Sequence, residues 1–293
     1  MKGDFVRDKI LLGCLRFATA VAAGVIFLII CFVFFEAWTT LADNSSRQSL
    51  FGKQWNPTEG KLGLGPMVVG TLAAAILSML ITIPLGIGSA LFGRFYAPTW
   101  LAFTYRRIVE LLAGIPSVVF GLWGITAIVP LIANYNPLGQ GQSLLAGALV
   151  LSAMTLPTIS LAIDSALGSV PYTQVQAAAA LGLGKRAVIW SVMIPSAKRG
   201  ILVGVILQLG RALGETMAVL MVCGNIAQIP DGLLVPVRTL TASIALEMGY
   251  ADEQHRSALF LCGLILLLIT GTLMLLINLI NRSERISSTR RVA

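Results

Sequence analysis

This chain has little charge. Of its 293 residues only 12% are Asp, Glu, Lys or Arg, while 56% are hydrophobic; a soluble domain carries about a quarter charged residues. With a mean hydropathy of +0.85, an ordinary soluble fold is excluded. The chemistry-bearing residues are equally sparse. Cys14, Cys31, Cys223 and Cys262 stand far apart, with no CxxC and no ligand spacing, so they read as packing residues and no metal centre is expected. The single histidine, His255, lies beside Asp252, Glu253 and Arg256 and reads as a solvated residue of an external loop. No G-x-x-x-x-G-K-[ST] occurs: Gly184-Lys185 is followed by Arg186 and lacks the upstream glycine, so the chain brings no phosphate-cradling loop of its own. There is no plausible catalytic triad and no detectable internal repeat. An enzyme is not expected, nor a cofactor held by this chain.

What is present is long apolar runs. Crossing a bilayer takes about 20 of them in a row, and six stretches qualify, at about 17–35, 66–92, 108–133, 144–163, 201–223 and 257–280. Only Glu110 interrupts the third and only Arg211 and Glu215 the fifth. Lipid leaves the backbone a choice of helix or closed barrel, and these runs are too long for barrel strands. The expected fold is all-α: a polytopic membrane protein of six transmembrane helices. Residues 1–16 precede this domain, 17–280 form it and 281–293 make a basic tail. Stretch 17–35 outlasts a signal-peptide core and is followed by no convincing cleavage site, so it reads as an uncleaved first span. Residues 43–65, rich in Asn, Ser, Gly and Pro, read as an external loop, with Trp38 and Trp55 near the headgroups.

The basic residues set the orientation. Lys2, Arg7, Lys9 and Arg16, then Arg94, Arg106 and Arg107, then Lys185, Arg186, Lys198 and Arg199, and finally Arg282, Arg285, Arg290 and Arg291 all fall on one side of a six-span path. Arg47, Lys53, Lys61, Arg238 and Arg256 are the few on the other. Both termini are therefore expected in the cytoplasm. The bias accounts for the net charge of +8 without a nucleic-acid partner.

Residues 164–200 are the least membrane-like stretch between spans. Pro171 suits a first helical turn, where its missing N–H costs nothing. The alanines from Ala177 to Ala180 are strong helix formers, and Gly182 and Gly184 end that helix. A second short helix is expected from about 185 to 193, stopped by Pro195. The outcome is a helix–glycine–helix elbow carrying Lys185 and Arg186, suited to gripping another protein.

The elbow's spacing resembles a known family. Permease subunits of ABC importers carry a loop with Glu-Ala-Ala, three residues, Gly, nine residues, Ile, one residue, Leu-Pro. Here Gln176-Ala177-Ala178, Gly182, Val192 and Ile194-Pro195 stand at the same spacings. Gln replaces Glu, Val replaces Ile and Ile replaces Leu; only the first change removes a charge. The resemblance implies that the elbow docks on a cytoplasmic ATP-binding subunit and passes its movement to the membrane helices. Gly70-Thr-Leu followed by Pro84-Leu-Gly86 resembles the opening of the core of such permeases, and Leu112-Ala-Gly-Ile-Pro116-Ser-Val-Val-Phe-Gly121, 154–164, 210–225 and 239–245 look like the phosphate-importer branch, its PstC type. The likeness covers roughly 70 to 251.

Substrate chemistry concentrates in the fifth run. Arg211 lies near its middle, where a charge costs about 2.5–3.5 kcal/mol on insertion scales and is expected to face a partner or a wet pathway. Glu215 follows four residues on, within ion-pair reach on a continuous helix. Gln208 and Gly204 extend that face, and Gly200/Gly204 and Gly210/Gly214 have small-xxx-small spacing. Two readings stand. Arg211 attracts a passing oxyanion while Glu215 keeps binding weak, or the two form an ion pair that pins the helix to its neighbour. Glu110, near the cytoplasmic edge, reads as a side chain that snorkels to water.

The resemblance implies an inner-membrane permease for inorganic phosphate. Its partners would be a second homologous permease, a dimer of ATP-binding subunits holding ATP and Mg, an extracytoplasmic phosphate-binding protein and the lipid bilayer. A permease for sulfate or molybdate, the sister phosphate permease, and a proton-coupled carrier using Glu215 are the alternatives.

Overall fold

Apolar sequence without turn signals gives long helices, and these dominate the computed structural model, which describes residues 2–42, 50, 52–136 and 141–292. Among the described residues six helical segments are long and apolar enough to cross a membrane: Leu11–Ala42, Gly65–Tyr96, Ser117–Tyr135, Leu144–Gly168, Lys185–Leu213 and Glu253–Leu279. The elements in order are α1 (Lys2–Ala42), a hairpin of β1 (Trp55–Asn56) and β2 (Lys61–Leu62), α2 (Gly65–Leu91), α3 (Thr99–Ala113), α4 (Ser117–Trp123), α5 (Val129–Tyr135), α6 (Leu144–Gly168), α7 (Tyr172–Ala180), α8 (Lys185–Ala187), α9 (Ile194–Leu213), α10 (Met217–Val222), α11 (Leu240–Glu247) and α12 (Glu253–Val292). Residues 43–49 and 51 of the expected external loop lie outside the described residues.

The hairpin pairs Trp55 with Leu62 and Asn56 with Lys61 in antiparallel register. Its turn places Gly60 at φ +69.

α2 and α6 pack against one another at the centre. Between them Thr82 and Thr155, both fully buried, approach to 3.2 Å through their hydroxyls. Each hydroxyl also returns a bond to a carbonyl one turn back, Ser78 O and Leu151 O, close to Pro84 and Pro157, whose rings leave helix carbonyls without their usual donor. Gly86 permits the contact with Ile159: a Cβ there would stand 2.5 Å from the isoleucine methyl. α9 closes on α6 through Gly200 and Gly204, where Cβ atoms would stand 2.9 and 3.0 Å from Ala166 and Ala162. One of the two expected small-residue pairs is thus a true packing seam. Gly210 has nothing within 4 Å and Gly214 only its own helix carbonyls, so the second pair faces open space.

α1 packs mainly on α12. Its outer turns are fixed by Ser257 Oγ, which accepts from Thr40 Oγ1 at 2.7 Å and donates to Glu36 O at 2.7 Å.

Three expectations need correction. The run at 108–133 is not one helix: Gly114 caps α3, and Pro116, at φ −59 and ψ 142, breaks the backbone before α4. Glu110 therefore lies on α3, outside the membrane-length segment, bound to Arg106 at 3.2 Å and Arg107 at 3.4 Å. The run at 201–223 is also divided, since α9 ends at Leu213 and α10 starts at Met217. Finally, Pro195 does not stop a helix. A π-helical stretch, Val188–Met193, leads directly into α9, with Pro195 in its first turn. The wider i→i+5 turn leaves the proline's missing N–H at a position where none is required.

Candidate translocation face and coupling elbow

The fifth membrane-length segment carries the residues singled out as substrate-facing. Gln208 is half-buried, its Oε1 accepting a 2.8 Å bond from Thr158 Oγ1 on α6. Thr158 is not among the residues that the sequence pattern singles out. It follows Pro157 on a helix that also carries Ser152, Thr155, Ser160 and Asp164, and only tertiary packing pairs it with Gln208.

One turn beyond Gln208, Arg211 is exposed and has no hydrogen bond or ion pair among the described residues. The expected ion pair with Glu215 does not form. An i,i+4 pair requires a continuous helix, and here Gly214 ends α9. Past that break the Glu215 carboxylate accepts from Ala218 N at 3.2 Å. It thereby caps α10, a favourable place for a negative group at a helix N-terminus. Its main-chain carbonyl accepts from Thr241 Oγ1 at 2.7 Å, tying the break to α11. The guanidinium is left uncommitted on an open face lined by Gly210 and Gly214.

The elbow forms about where its sequence indicates, with its root later than 164: Asp164 is still within α6, and α7 begins at Tyr172 behind Pro171, which serves as the N-cap. At the far end of α7, Gly182 adopts φ +77. Gly182 N bonds Ala179 O at 2.9 Å and Leu183 N bonds Ala178 O at 3.2 Å, the paired bonds of a Schellman cap. Ala178 is buried, while Gln176, Ala177, Gly182, Arg186 and Pro195 are exposed. Lys185 turns back toward the bundle, donating to Phe95 O with its ammonium 5.4 Å from the Tyr96 ring centre. The two arms are joined by Ser196 Oγ, which donates to Gln174 Oε1 at 3.0 Å. Outward the elbow presents apolar side chains: Leu181 is 83% exposed and Tyr172 72%.

At the opposite end of the bundle lies a cluster with no forewarning in the sequence. His255, expected to be solvated, is only 8% exposed, and Glu247 only 6%. The Glu247 carboxylate receives Arg238 Nη1 at 2.5 Å, Trp55 Nε1 at 2.9 Å and His255 Nε2 at 2.9 Å. His255 lies in the first turn of α12, where its N–H is capped by Asp252 Oδ1 at 2.9 Å. The cluster joins the hairpin, the segment after α10, α11 and α12. A run of nearby charges looks solvated in one dimension; folding brings Glu247 eight residues back onto His255 and buries both.

Cys223 and Cys262 are buried and all four cysteines are free thiols. Cys223 Sγ fills the space above Gly147, the packing role expected of it.

A six-span helical bundle with a protruding helical elbow and a polar break in its fifth span defines a membrane permease. Residues 82–286 match the family described as binding-protein-dependent transport system inner membrane component, and this chain belongs to that family. It is 36% identical over 250 residues, covering 78% of this chain and 76% of the relative, to the phosphate transport system permease protein PstC of Xylella fastidiosa strain 9a5c. It is 39% identical over 236 residues, 79% of this chain and 76% of the relative, to the probable ABC transporter permease protein YqgH of Bacillus subtilis. With the phosphate transport system permease protein PstC of Mesorhizobium japonicum it shares 34% identity over 290 residues, 90% of this chain and 88% of the relative. Among solved structures the fold is similar to a chain of the MetNI methionine ABC transporter in inward-facing conformations, with TM-score 0.58 and 19% identity over 78% of this chain and 99% of that one. A chain of an amino acid ABC transporter is also similar, with TM-score 0.54 and 20% identity over 74% and 92%.

Proposed function

We propose that this chain is the permease subunit of an ATP-driven importer that moves inorganic phosphate across the bacterial inner membrane. Membership of a binding-protein-dependent family supports the import reading, and the relatives named for phosphate transport support the substrate. The observation that carries the substrate chemistry is Arg211, exposed on the pathway helix with its guanidinium free among the described residues. A guanidinium offers a planar fork of donors matched to two oxygens of a tetrahedral oxyanion. Gln208, held by Thr158, supplies an amide one turn away, and Glu215 places a carboxylate beyond the break. That carboxylate repels an anion that lingers, so phosphate is held loosely enough to leave.

ATP and Mg bind the partner subunits. A dimer of ATP-binding subunits covers Leu181, Tyr172 and the exposed Gln176 and Arg186. Closure of that dimer pushes the elbow, which passes the movement directly into α9 because the π stretch joins them without a loop. A second, homologous permease completes the pathway opposite Arg211, and an extracytoplasmic phosphate-binding protein delivers the ion at the end of the bundle carrying the hairpin.

The test is labelled-phosphate uptake into proteoliposomes holding the full assembly, with ATP supplied on the elbow side. ATP-dependent uptake is expected in the native protein. In an assembled Arg211→Gln variant it falls about ten-fold, the worth of one charge-assisted hydrogen bond. Sulfate or molybdate uptake in place of phosphate would overturn the substrate. Uptake driven by a proton gradient without ATP would overturn the importer.

A further inference from the structure

We infer that the cavity between the inner ends of α2, α3 and α6 is a binding site for the phosphodiester headgroup of an acidic phospholipid. The cavity has a volume of about 240 Å³, far above the ≳10–15 Å³ that one water requires. It opens at the elbow end of the bundle, where a lipid headgroup would lie. The inference stands apart from the substrate reading and uses none of the pathway residues.

Three observations point to an anion with an apolar tail. The first is charge. Arg94 Nη1 contacts Asp164 Oδ1 at 2.7 Å, and Arg106 Nη1 reaches Asp164 Oδ2 at 3.5 Å. Arg106 Nε also contacts Glu110 at 3.2 Å, and Arg107 meets the same carboxylate at 3.4 Å. Three guanidinium groups share two carboxylates, so one positive charge is uncompensated at the cavity mouth. Arg106 engages only Nε and Nη1 in these contacts, and its Nη2 donors are uncommitted among the described residues.

The second is a spare hydroxyl. Ser89 Oγ lies 2.6 Å from Tyr105 OH and 2.5 Å from Ser160 Oγ, and all three residues line the cavity. Three hydroxyl protons serve two hydrogen bonds. One O–H is left to donate, with no acceptor among the described residues.

The third is the wall. Ala90, Ala102, Phe103, Val109 and Leu161 give the cavity an apolar wall, a surface that suits acyl chains and gives a free inorganic ion nothing. α3 beside it has the make-up of an interfacial helix: Trp100 and Phe103 are 72% and 66% exposed, alongside Arg106 and Arg107. Such helices lie in the headgroup plane and draw acidic lipids.

The assembled transporter would be placed in nanodiscs of phosphatidylcholine with or without phosphatidylglycerol. Retained phosphatidylglycerol would be counted by native mass spectrometry and thermal unfolding followed in parallel. Arg106→Gln is the test and Arg107→Gln the control: the two side chains are 64% and 66% exposed, but only Arg106 lines the cavity. Native protein is expected to keep phosphatidylglycerol and unfold at a higher temperature in its presence. Arg106→Gln should retain about five-fold less, the order of one basic side chain's pull on an acidic headgroup, while Arg107→Gln keeps its lipid. Equal loss in both variants would mean a diffuse surface charge and overturn the site. No retention in the native protein would overturn it as well. Stabilisation by inorganic phosphate alone in pure phosphatidylcholine, abolished by Arg106→Gln, would make the ligand the free ion and overturn the lipid assignment.

Discussion

Glu247 and Arg211 are opposite uses of charge in one membrane protein. Glu247 is buried under three donors from three different elements, and removing it takes the counter-charge from the Arg238 guanidinium, which keeps only Asn225 O, and the acceptor from the His255 ring. Loss of one partner from a buried pair costs about 3–5 kcal/mol. Glu247→Ala is accordingly expected to lower the unfolding temperature of the purified chain well below that of any single substitution on the pathway face. Arg211→Gln should leave stability within about 0.5 kcal/mol, as exposed substitutions without partners do. The two melts, run side by side, separate a scaffold residue from the residue proposed to meet substrate; an equal loss in both would contradict the free state of Arg211. At this scale the sequence was half legible. A charge in an apolar run is conspicuous, and Arg211 is found that way. Its partner is another matter, because the four-residue step to Glu215 counts as a neighbour only if no glycine intervenes. His255 and Glu247 escaped for the converse reason: their burial comes from the hairpin and from Arg238, distant in the chain.

Glycines set the elements, and they divide into those whose backbone needs them and those whose neighbours do. Gly182 belongs to the first group: at φ +77, with nothing within 4 Å of a hypothetical Cβ, an alanine would meet strain alone, of about 1–2 kcal/mol. Gly184 has equally open surroundings but an extended backbone, φ −65 and ψ 158, which any residue adopts. Gly182→Ala is expected to loosen the Schellman cap and reduce transport-coupled ATP hydrolysis in the assembled complex. Gly184→Ala should leave it unchanged or gain about 0.4–1 kcal/mol by restricting the unfolded chain. The second group contains Gly200 and Gly204. Valine at either would push α9 from α6, costing about 1–3 kcal/mol for overpacking, whereas Gly210→Ala has room; thermal melts of the three variants check the order. The elbow was readable because alanine runs and glycine stops act locally. Pro195 was misread since a proline terminates a helix or opens one according to the turn preceding it, and the π stretch at 188–193 has no signature in residue type. The breaks at Pro116 and Gly214 show the same limit: hydropathy registers a run and is blind to a kink inside it.

For the whole molecule, six spans put residues 2–10, the elbow and the end of α12 at one face of the membrane, with the hairpin and the segment after α10 at the other. From the distribution of lysine and arginine we propose that the elbow face is the cytoplasmic one. Two reporter positions test this in a background where the exposed Cys14 and Cys31 are replaced by alanine. Leu181→Cys lies at the exposed tip of the elbow, and Asp231→Cys lies exposed at the opposite end. In intact bacteria a membrane-impermeant maleimide should label Asp231→Cys and spare Leu181→Cys; in inverted vesicles the pattern should reverse. Docked ATP-binding subunits should then protect Leu181→Cys in the inverted vesicles, and stripping them should restore labelling. Labelling of Leu181→Cys from outside the cell would invert the molecule. It would turn the elbow away from any cytoplasmic ATPase and leave Arg211 without a driven cycle to serve.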